Sequence, residues 1–192
     1  MEQLRAAINQ MIDISDEEMI QLLGDCYVKT FKKKSFLSIP DVVCNEVYFV
    51  CKGITRNLLV DNEGVEHTTN FTVENQFIAD YASFIQKTPS IYYIQALETT
   101  EVVVMPRKTI EWGYQNLKQG DKLGRLVAEF YFVFHDNQIK NQYFSTPKQR
   151  YETITQVFPN IHNRVPQHMI ASYLGITSVH LSRLKKEDSS KL

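Results

Sequence analysis

Between residues 47 and 105 the chain carries short apolar segments at near-even intervals, and after Pro106 that pattern stops. The segments are residues 47–51, 55–60, 66–71, 76–78, 92–97 and 101–105. Lys52-Gly53 and Asp61-Asn62-Glu63-Gly64 stand between them, as hairpin turns require. Strands this short and this regularly punctuated predict a sandwich, barrel or jelly roll. Residues 77–84 interrupt the series and leave room for one helical turn. Few other architectures accept this pattern, because a helix would need apolar residues at a period near 3.6 rather than runs closed by turns.

The flanks are helical. The first twenty-five residues read as helix, with Ser15 and Glu18 forming a capping box and Met19, Ile20, Leu22 and Leu23 giving an apolar face. Residues 108–117 predict a short helix. Residues 121–144 predict a longer one, in which Leu123, Val127, Phe130, Phe134, Asn137, Asn141 and Phe144 alternate steps of four and three. That is a heptad seam, and Leu126 and Val133 form a second apolar row beside it. A helix with two apolar rows covers its own domain and something else, and a second subunit is the simplest partner. The expected dimer interface is Leu123, Val127, Phe130, Phe134 and Asn137. Ser145-Thr146-Pro147 then restarts the helix, a hydroxyl cap followed by proline at the first helical position. Pro159-Asn160 ends it.

Residues 167–186 have the order expected of two helices crossing at a tight turn. Ile170 and Leu174 share one face of the first helix, and Ala171 is small where the second helix crosses. Gly175 supplies a left-handed backbone, and Ile176 fills the corner. Thr177 or Ser178 caps the second helix, and Leu181 and Leu184 form its inner face. Thr177, Ser178, Val179, Ser182, Arg183 and Lys186 remain for the outward surface. Small, hydroxylic and cationic residues on an exposed helix suit the major groove of double-stranded DNA. Charge agrees with this. The whole chain has net charge −1, yet residues 145–192 carry seven Lys and Arg against three acidic residues.

Other function classes fit less well. The longest uninterrupted apolar runs, residues 47–51 and 130–134, are five residues each, far short of the ~20 that a membrane span needs. With no signal-peptide core near the N-terminus, a cytoplasmic location is expected. Cys26, Cys44 and Cys51 are odd in number and irregular in spacing, so neither a disulfide framework nor a zinc site is expected. A cupin-type enzyme needs a His and Glu metal cluster, and His67 is the single histidine of the strand region. It reads as a surface strand residue. No nucleophile–base pairing or glycine-rich phosphate loop is present, so no catalytic residues and no enzyme are expected.

Taken in order, these segments resemble the Crp/Fnr family of bacterial transcription regulators over nearly the whole chain. Tyr48-Phe49-Val50-Cys51-Lys52-Gly53-Ile54-Thr55-Arg56 is similar to the family's strand-turn-strand, and Glu63-Gly64-Val65-Glu66 to its next hairpin. Ile170-Ala171-Ser172-Tyr173-Leu174-Gly175-Ile176-Thr177 is similar to regulators common in Bacteroidetes. The resemblance implies an α+β fold: an N-terminal double-stranded β-helix, a cupin-like jelly roll with flanking helices, over 1–118. A dimerisation helix over 119–144 and a helix-turn-helix domain over 145–192 would follow, with no wing after the last helix. The implied partners are double-stranded DNA, a second copy of the chain, RNA polymerase and a small-molecule effector. Arg183 matches the family's recognition-helix arginine. Ser178 and Val179 stand where that family's cyclic-AMP receptor has Arg and Glu, so a different operator is expected.

The cassette that holds the cyclic phosphate in nucleotide-binding relatives falls on Phe77-Ile78-Ala79-Asp80-Tyr81. Those relatives have Gly-Glu and then Arg, whereas this chain has Ala79, Asp80 and Ser90, followed by Ile91. The effector pocket is thus expected at Ala79, Asp80, Tyr81, Ser90 and Ile91, with a degenerate cassette. A cyclic phosphate needs a cationic or N–H-rich partner when buried. Lys87 is the only cation nearby in the sequence, so cyclic AMP is disfavoured and no cofactor is expected. A cyclic-nucleotide sensor module is the alternative. Relatives with an iron–sulfur cluster carry clustered N-terminal cysteines, and none precedes Cys26.

Overall fold

The computed structural model describes residues 1–158 and 160–189. Two compact units divide the chain. One joins Met1–Asn57 to Phe71–Tyr131, and the other joins Leu58–Asn70 to the residues from Phe132 onward.

The first unit opens with two helices, α1 (Glu2–Met11) and α2 (Asp16–Leu23), rather than one. The break is at Ile12, which is extended at φ −141°, ψ 156°. Ser15 then nucleates α2. Its hydroxyl accepts the Glu18 N–H at 3.2 Å, and the Glu18 carboxylate accepts the Ser15 N–H at 3.1 Å. The other Glu18 oxygen accepts the Lys118 N–H at 2.9 Å. These backbone donors, Lys118 first, hold the exposed Glu18 carboxyl below its ordinary range.

Eight strands follow: β1 (Tyr27–Phe31), β2 (Phe36–Ser38), β3 (Glu46–Lys52), β4 (Thr55–Val60), β5 (Glu66–Thr72), β6 (Phe77–Ile78), β7 (Tyr93–Ala96) and β8 (Thr100–Pro106). They form two four-stranded sheets, in the orders β1-β8-β3-β6 and β2-β7-β4-β5. The pairings of β8 with β1 and β3, of β3 with β6 and of β2 with β7 are antiparallel. The six strands from β3 onward coincide with the six apolar segments of the sequence. The turn at Lys52-Gly53 needs its glycine, since φ is +105° and an added Cβ would stand 2.5 Å from the Thr100 hydroxyl.

The strands β3 and β8 are apolar along their length because both faces are covered. Tyr48 and Val50, opposite Val104 and Val102, point into the sandwich with Phe31, Leu37, Ile78, Ile94 and Ala96. Phe49, Cys51, Val103 and Met105 point outward and meet Leu4, Ile8, Ile12, Met19 and Leu22 of the N-terminal segment. The outer layer is completed by α4 (Arg107–Asn116) and the first half of α5 (Gly120–Phe144), which adds Leu123 and Leu126. The short helix α3 (Tyr81–Gln86) occupies the interruption within the strand series.

In the second unit, α6 (Pro147–Val157) begins with Thr146 as cap and Pro147 at its first position. The Thr146 hydroxyl accepts the Gln149 N–H at 3.3 Å, and the Gln149 side chain accepts the Thr146 N–H at 2.8 Å. The helix closes at Phe158. Pro159, one of the two residues expected to end it, lies outside the described residues. An unforeseen short helix α7 (Ile161–Arg164) precedes α8 (Gln167–Leu174) and α9 (Ser178–Ser189). Tyr151, Ile154, Phe158, Ile161, Val165, Ile170, Ala171, Leu174, Leu181 and Leu184 are all buried. Among the described residues, no helix is long and apolar enough to cross a membrane.

Gly113, Gly120 and Gly124 govern how α4 meets α5. An added Cβ on Gly120 would lie 2.1 Å from the Gly113 carbonyl oxygen, and one on Gly124 would lie 2.3 Å from the Tyr114 ring. Gly120→Ala therefore displaces backbone, and about 1–3 kcal/mol of stability should be lost in urea titration of the purified chain. Gly64→Ala is the contrast, because nothing lies within 4 Å of its Cβ position. Its cost should be confined to the strain of a positive φ.

Candidate nucleic-acid interface and effector site

The helices α8 and α9 are joined by three residues. Gly175 adopts φ 64°, ψ 38°, and its N–H returns to the Ala171 and Ser172 carbonyls. The Ile176 N–H also bonds to the Ala171 carbonyl at 3.0 Å, so the last turn of α8 is closed before the chain reverses. Of the two candidate caps for α9, Thr177 is the one used: its hydroxyl accepts the His180 N–H at 3.2 Å. Leu181 and Leu184 are buried, as are Ile170, Ala171 and Leu174 of α8, and each leucine or isoleucine contributes about 1.5–3 kcal/mol. Thr177, Ser178, Val179, Arg183 and Lys186 are exposed, and Ser182 is half-buried. All six expected outward residues therefore lie on one cap-and-helix segment, with Ser182 at its margin.

Arg150, which the sequence does not single out, secures this pair from behind. Its Nε donates to the Leu174 carbonyl at 2.9 Å, and its Nη1 donates to the Ser145 carbonyl at 2.7 Å. These are carbonyls at helix ends, which have no partner within their own helix. An arginine in the second turn of α6 reads as an ordinary surface residue, so only the fold reveals the role.

The five residues of the expected effector pocket differ in burial, and a hydrogen bond joins their two segments. Asp80 and Ser90 are buried together, Ala79 is half-buried, and Tyr81 and Ile91 are exposed. Asp80 caps α3, one carboxylate oxygen accepting the Ser83 N–H at 3.2 Å. The other accepts the Ser90 hydroxyl at 2.7 Å. Ser90 in turn accepts the Tyr92 N–H at 3.0 Å. Ser83 closes the network, donating to the Thr88 carbonyl at 2.6 Å and accepting the Cys44 N–H at 2.9 Å. The side chains of Asp80, Ser83 and Ser90 thus all have partners from the chain itself.

Lys87 is not the only cation here, contrary to the reading from sequence. Lys87 takes the left-handed position after α3 and lies 3.6 Å from Glu111. Arg107, twenty residues later, stacks over the Phe84 ring at 4.1 Å and donates to the Cys44 carbonyl at 2.7 Å. The strand order brings it there, which sequence distance conceals. His67 is exposed on the β4–β5 hairpin and bonds to Asp61 at 2.7 Å. The three cysteines are free. Burial pushes the Cys26 thiol up to about 11.

Along α5, Leu123 and Val127 are half-buried, as is Phe134, whereas Asn137 is exposed. Phe130 is 56% exposed, and beside it Val133 and Phe144 are 55% and 87% exposed.

Residues 28–116 match the family described as the cyclic nucleotide-binding domain. No curated protein is recognisably similar in sequence. Among solved structures, FixK2 from Bradyrhizobium japonicum is 14% identical, with a TM-score of 0.73 over 86% of this chain and 85% of that one. A protein from Eubacterium rectale assigned to the Crp/Fnr family of transcriptional regulators is 13% identical, with a TM-score of 0.72 over 93% and 85%. CLP from Xanthomonas campestris, described as a c-di-GMP responsive global regulator, is 11% identical, with a TM-score of 0.65 over 92% and 93%. Residues 28–116 are thus similar to the cyclic nucleotide-binding domain, and the fold of the chain is similar to that of these solved structures.

Ser90→Ala removes the donor to a buried carboxylate oxygen and leaves it unsatisfied. The expected cost is about 1–3 kcal/mol in denaturant titration. Ser90→Thr, which keeps the hydroxyl, should recover most of it.

Proposed function

We propose that this chain is a homodimeric, sequence-specific DNA-binding transcription regulator of the Crp/Fnr type, working in the cytoplasm. The observation that carries this reading is the two-sided character of α9. Leu181 and Leu184 hold it in the unit, while Thr177, Ser178, Val179, Arg183 and Lys186 face solvent. The α8–α9 pair then serves as a helix-turn-helix, with α9 entering the major groove. Arg183 contacts a base edge or phosphate, and Lys186 adds a phosphate contact. The proposed domain division is 1–118, 119–144 and 145–192. The strand orders β1-β8-β3-β6 and β2-β7-β4-β5 support reading the sandwich as a cupin-like double-stranded β-helix. No catalytic role is assigned.

Dimerisation uses the open row of α5. Leu123, Val127, Phe130 and Phe134 pack against their symmetry mates, and Asn137 and Asn141 set the register. The exposure of Phe130 and Val133 supports this reading. Sedimentation of the purified chain should give twice the chain mass at micromolar concentration. Phe130→Glu together with Phe134→Glu should give monomers. A wild-type monomer throughout that range rules out the interface.

The sensor reading is that the cassette is degenerate and that cyclic AMP is not the effector. Ser90, standing where an arginine would meet the phosphate, gives its proton to Asp80. A cyclic phosphate entering there meets a carboxylate and an occupied hydroxyl, and burying its charge without a partner costs several kcal/mol. The match of residues 28–116 to the cyclic nucleotide-binding domain favours a second reading, a cyclic-nucleotide-gated sensor. Lys87 and Arg107 are the cations such a ligand would use. The fold by itself does not specify cyclic AMP, since CLP is described as responsive to c-di-GMP. Calorimetry with millimolar cyclic AMP and cyclic GMP should record no saturable heat. Low-micromolar binding abolished by Lys87→Ala or Arg107→Ala establishes the second reading instead.

Palindromic operators with half-sites about one helical turn apart should emerge when the chain selects duplexes from a random library. Arg183→Ala should weaken binding to the selected operator by about 1–3 kcal/mol, read as a rise in Kd of roughly 5- to 150-fold. Unchanged affinity would show that Arg183 makes no such contact.

A further inference from the structure

The strand β5 is the last strand of its sheet. An edge strand leaves the N–H and C=O of every second residue without a neighbouring strand. Thr68, within β5, is only 5% exposed, so its N–H is cut off from water. The group that meets it comes from a helix. Ser172, on α8, accepts the Thr68 N–H with its hydroxyl at 2.9 Å and returns its own proton toward the Glu66 carbonyl at 3.5 Å. Glu66 and Thr68 are two apart, the spacing at which backbone groups face the same side of a strand. One serine hydroxyl thus stands in for the missing next strand.

The neighbouring residue of β5 is tied to another helix. Gln138 Nε2, on α5, donates to the Thr69 carbonyl at 2.6 Å. Two neighbouring residues of β5 are therefore held by side chains of two different helices. Thr68, Thr69, Gln138 and Ser172 all lie within the second compact unit, where Leu58–Asn70 groups with the residues from Phe132 onward.

We infer that Ser172 is a positioning residue for DNA binding: it seats the α8–α9 pair on the free edge of β5, so that the β4–β5 hairpin sets the orientation of α9. This rests on the DNA-binding reading above. The seated arrangement leaves Thr177, Ser178, Val179, Arg183 and Lys186 open to solvent. It is therefore an arrangement in which α9 is free to bind, and releasing the seat adds orientational freedom that binding must then remove. Ser172 touches no DNA in this scheme. It acts on how sharply two half-sites are spaced, because a loosely held α9 tolerates a wider range of separations.

The test compares the wild-type chain with Ser172→Ala and Ser172→Thr. Alanine is at home in a helix and keeps α8 intact, and a thermal melt of each variant checks that the fold is retained. Three quantities are read: exchange of the Thr68 amide by NMR without DNA, affinity for the operator selected by the wild type, and affinity for operators with the half-site spacing changed by one or two base pairs. In Ser172→Ala the Thr68 amide should exchange at least about tenfold faster, and operator affinity should fall about five- to tenfold, the scale of one lost hydrogen bond. The penalty for altered spacing should shrink, and Ser172→Thr should behave as wild type in all three. Unchanged Thr68 exchange in Ser172→Ala, or an affinity and spacing preference equal to wild type, overturns the proposal. Failure of the wild type to select any duplex defeats the DNA-binding reading itself. The Thr68 exchange still decides, without DNA, whether Ser172 holds β5.

Discussion

The antiparallel pair β3–β8 is covered on both faces, and the first unit is organised around that fact. Tyr48, Val50, Val102 and Val104 fill the sandwich on one side, while Phe49, Cys51, Val103 and Met105 support α1, α2 and α4 on the other. A one-residue slip of β3 on β8 would exchange these two sets, placing the Tyr48 hydroxyl among the helices and the Cys51 thiol in the sandwich. The Tyr48 hydroxyl donates to the Leu37 carbonyl at 2.8 Å, a partner that exists only on the inner side. The register is thereby specified twice, by volume and by a hydrogen bond. Arg107 stands immediately after β8, so the same register carries it to Phe84 on α3 and to Cys44.

Sequence legibility follows burial. The strands from β3 to β8 are visible because their buried residues alternate or run together between turn residues, and α6, α8 and α9 are visible from caps, a proline and a glycine. The strands β1 and β2 escape notice. Four of the five residues of β1 are exposed, and Lys29, Lys32, Lys33 and Lys34 surround the turn after it. With only Phe31 buried, no apolar run marks the strand. It is held by backbone pairing to β8, which leaves no trace in composition. The N-terminal helix reads as continuous because Ile12 and Ile14 maintain the apolar pattern across the break, even though Ser15 announces a new start.

The site residues divide along the same line. Those on α9 are legible because amphipathic spacing separates Leu181 and Leu184 from their outward neighbours. The residues at 79–81 and 90–91 stand out in the sequence as two short segments, but their mutual geometry is tertiary. That Ser90 and Asp80 satisfy one another depends on the loop after α3 returning beside its own cap, with the Ser90 N–H bonded to the Val42 carbonyl at 3.0 Å. Arg150 and Ser172 are the least legible of all. Each serves backbone groups of another element, and a backbone acceptor has no residue type to betray it.

The contact between Ser172 and the edge of β5 bears on solubility as well as on orientation. A strand edge left uncovered is a template for another chain, and proteins protect such edges with charge, bulges or a covering element. The edge of β1 carries Lys29 and the lysine turn that follows it. The edge of β5 around Thr68 has no cation of its own and is shielded by α8. Its protection is therefore borrowed from residues a hundred positions downstream. During synthesis the hairpin emerges well before α8 does, and in that interval its edge is open to pairing with other nascent chains. Chaperone dependence of folding, rather than any property of the finished molecule, is where that debt would be felt.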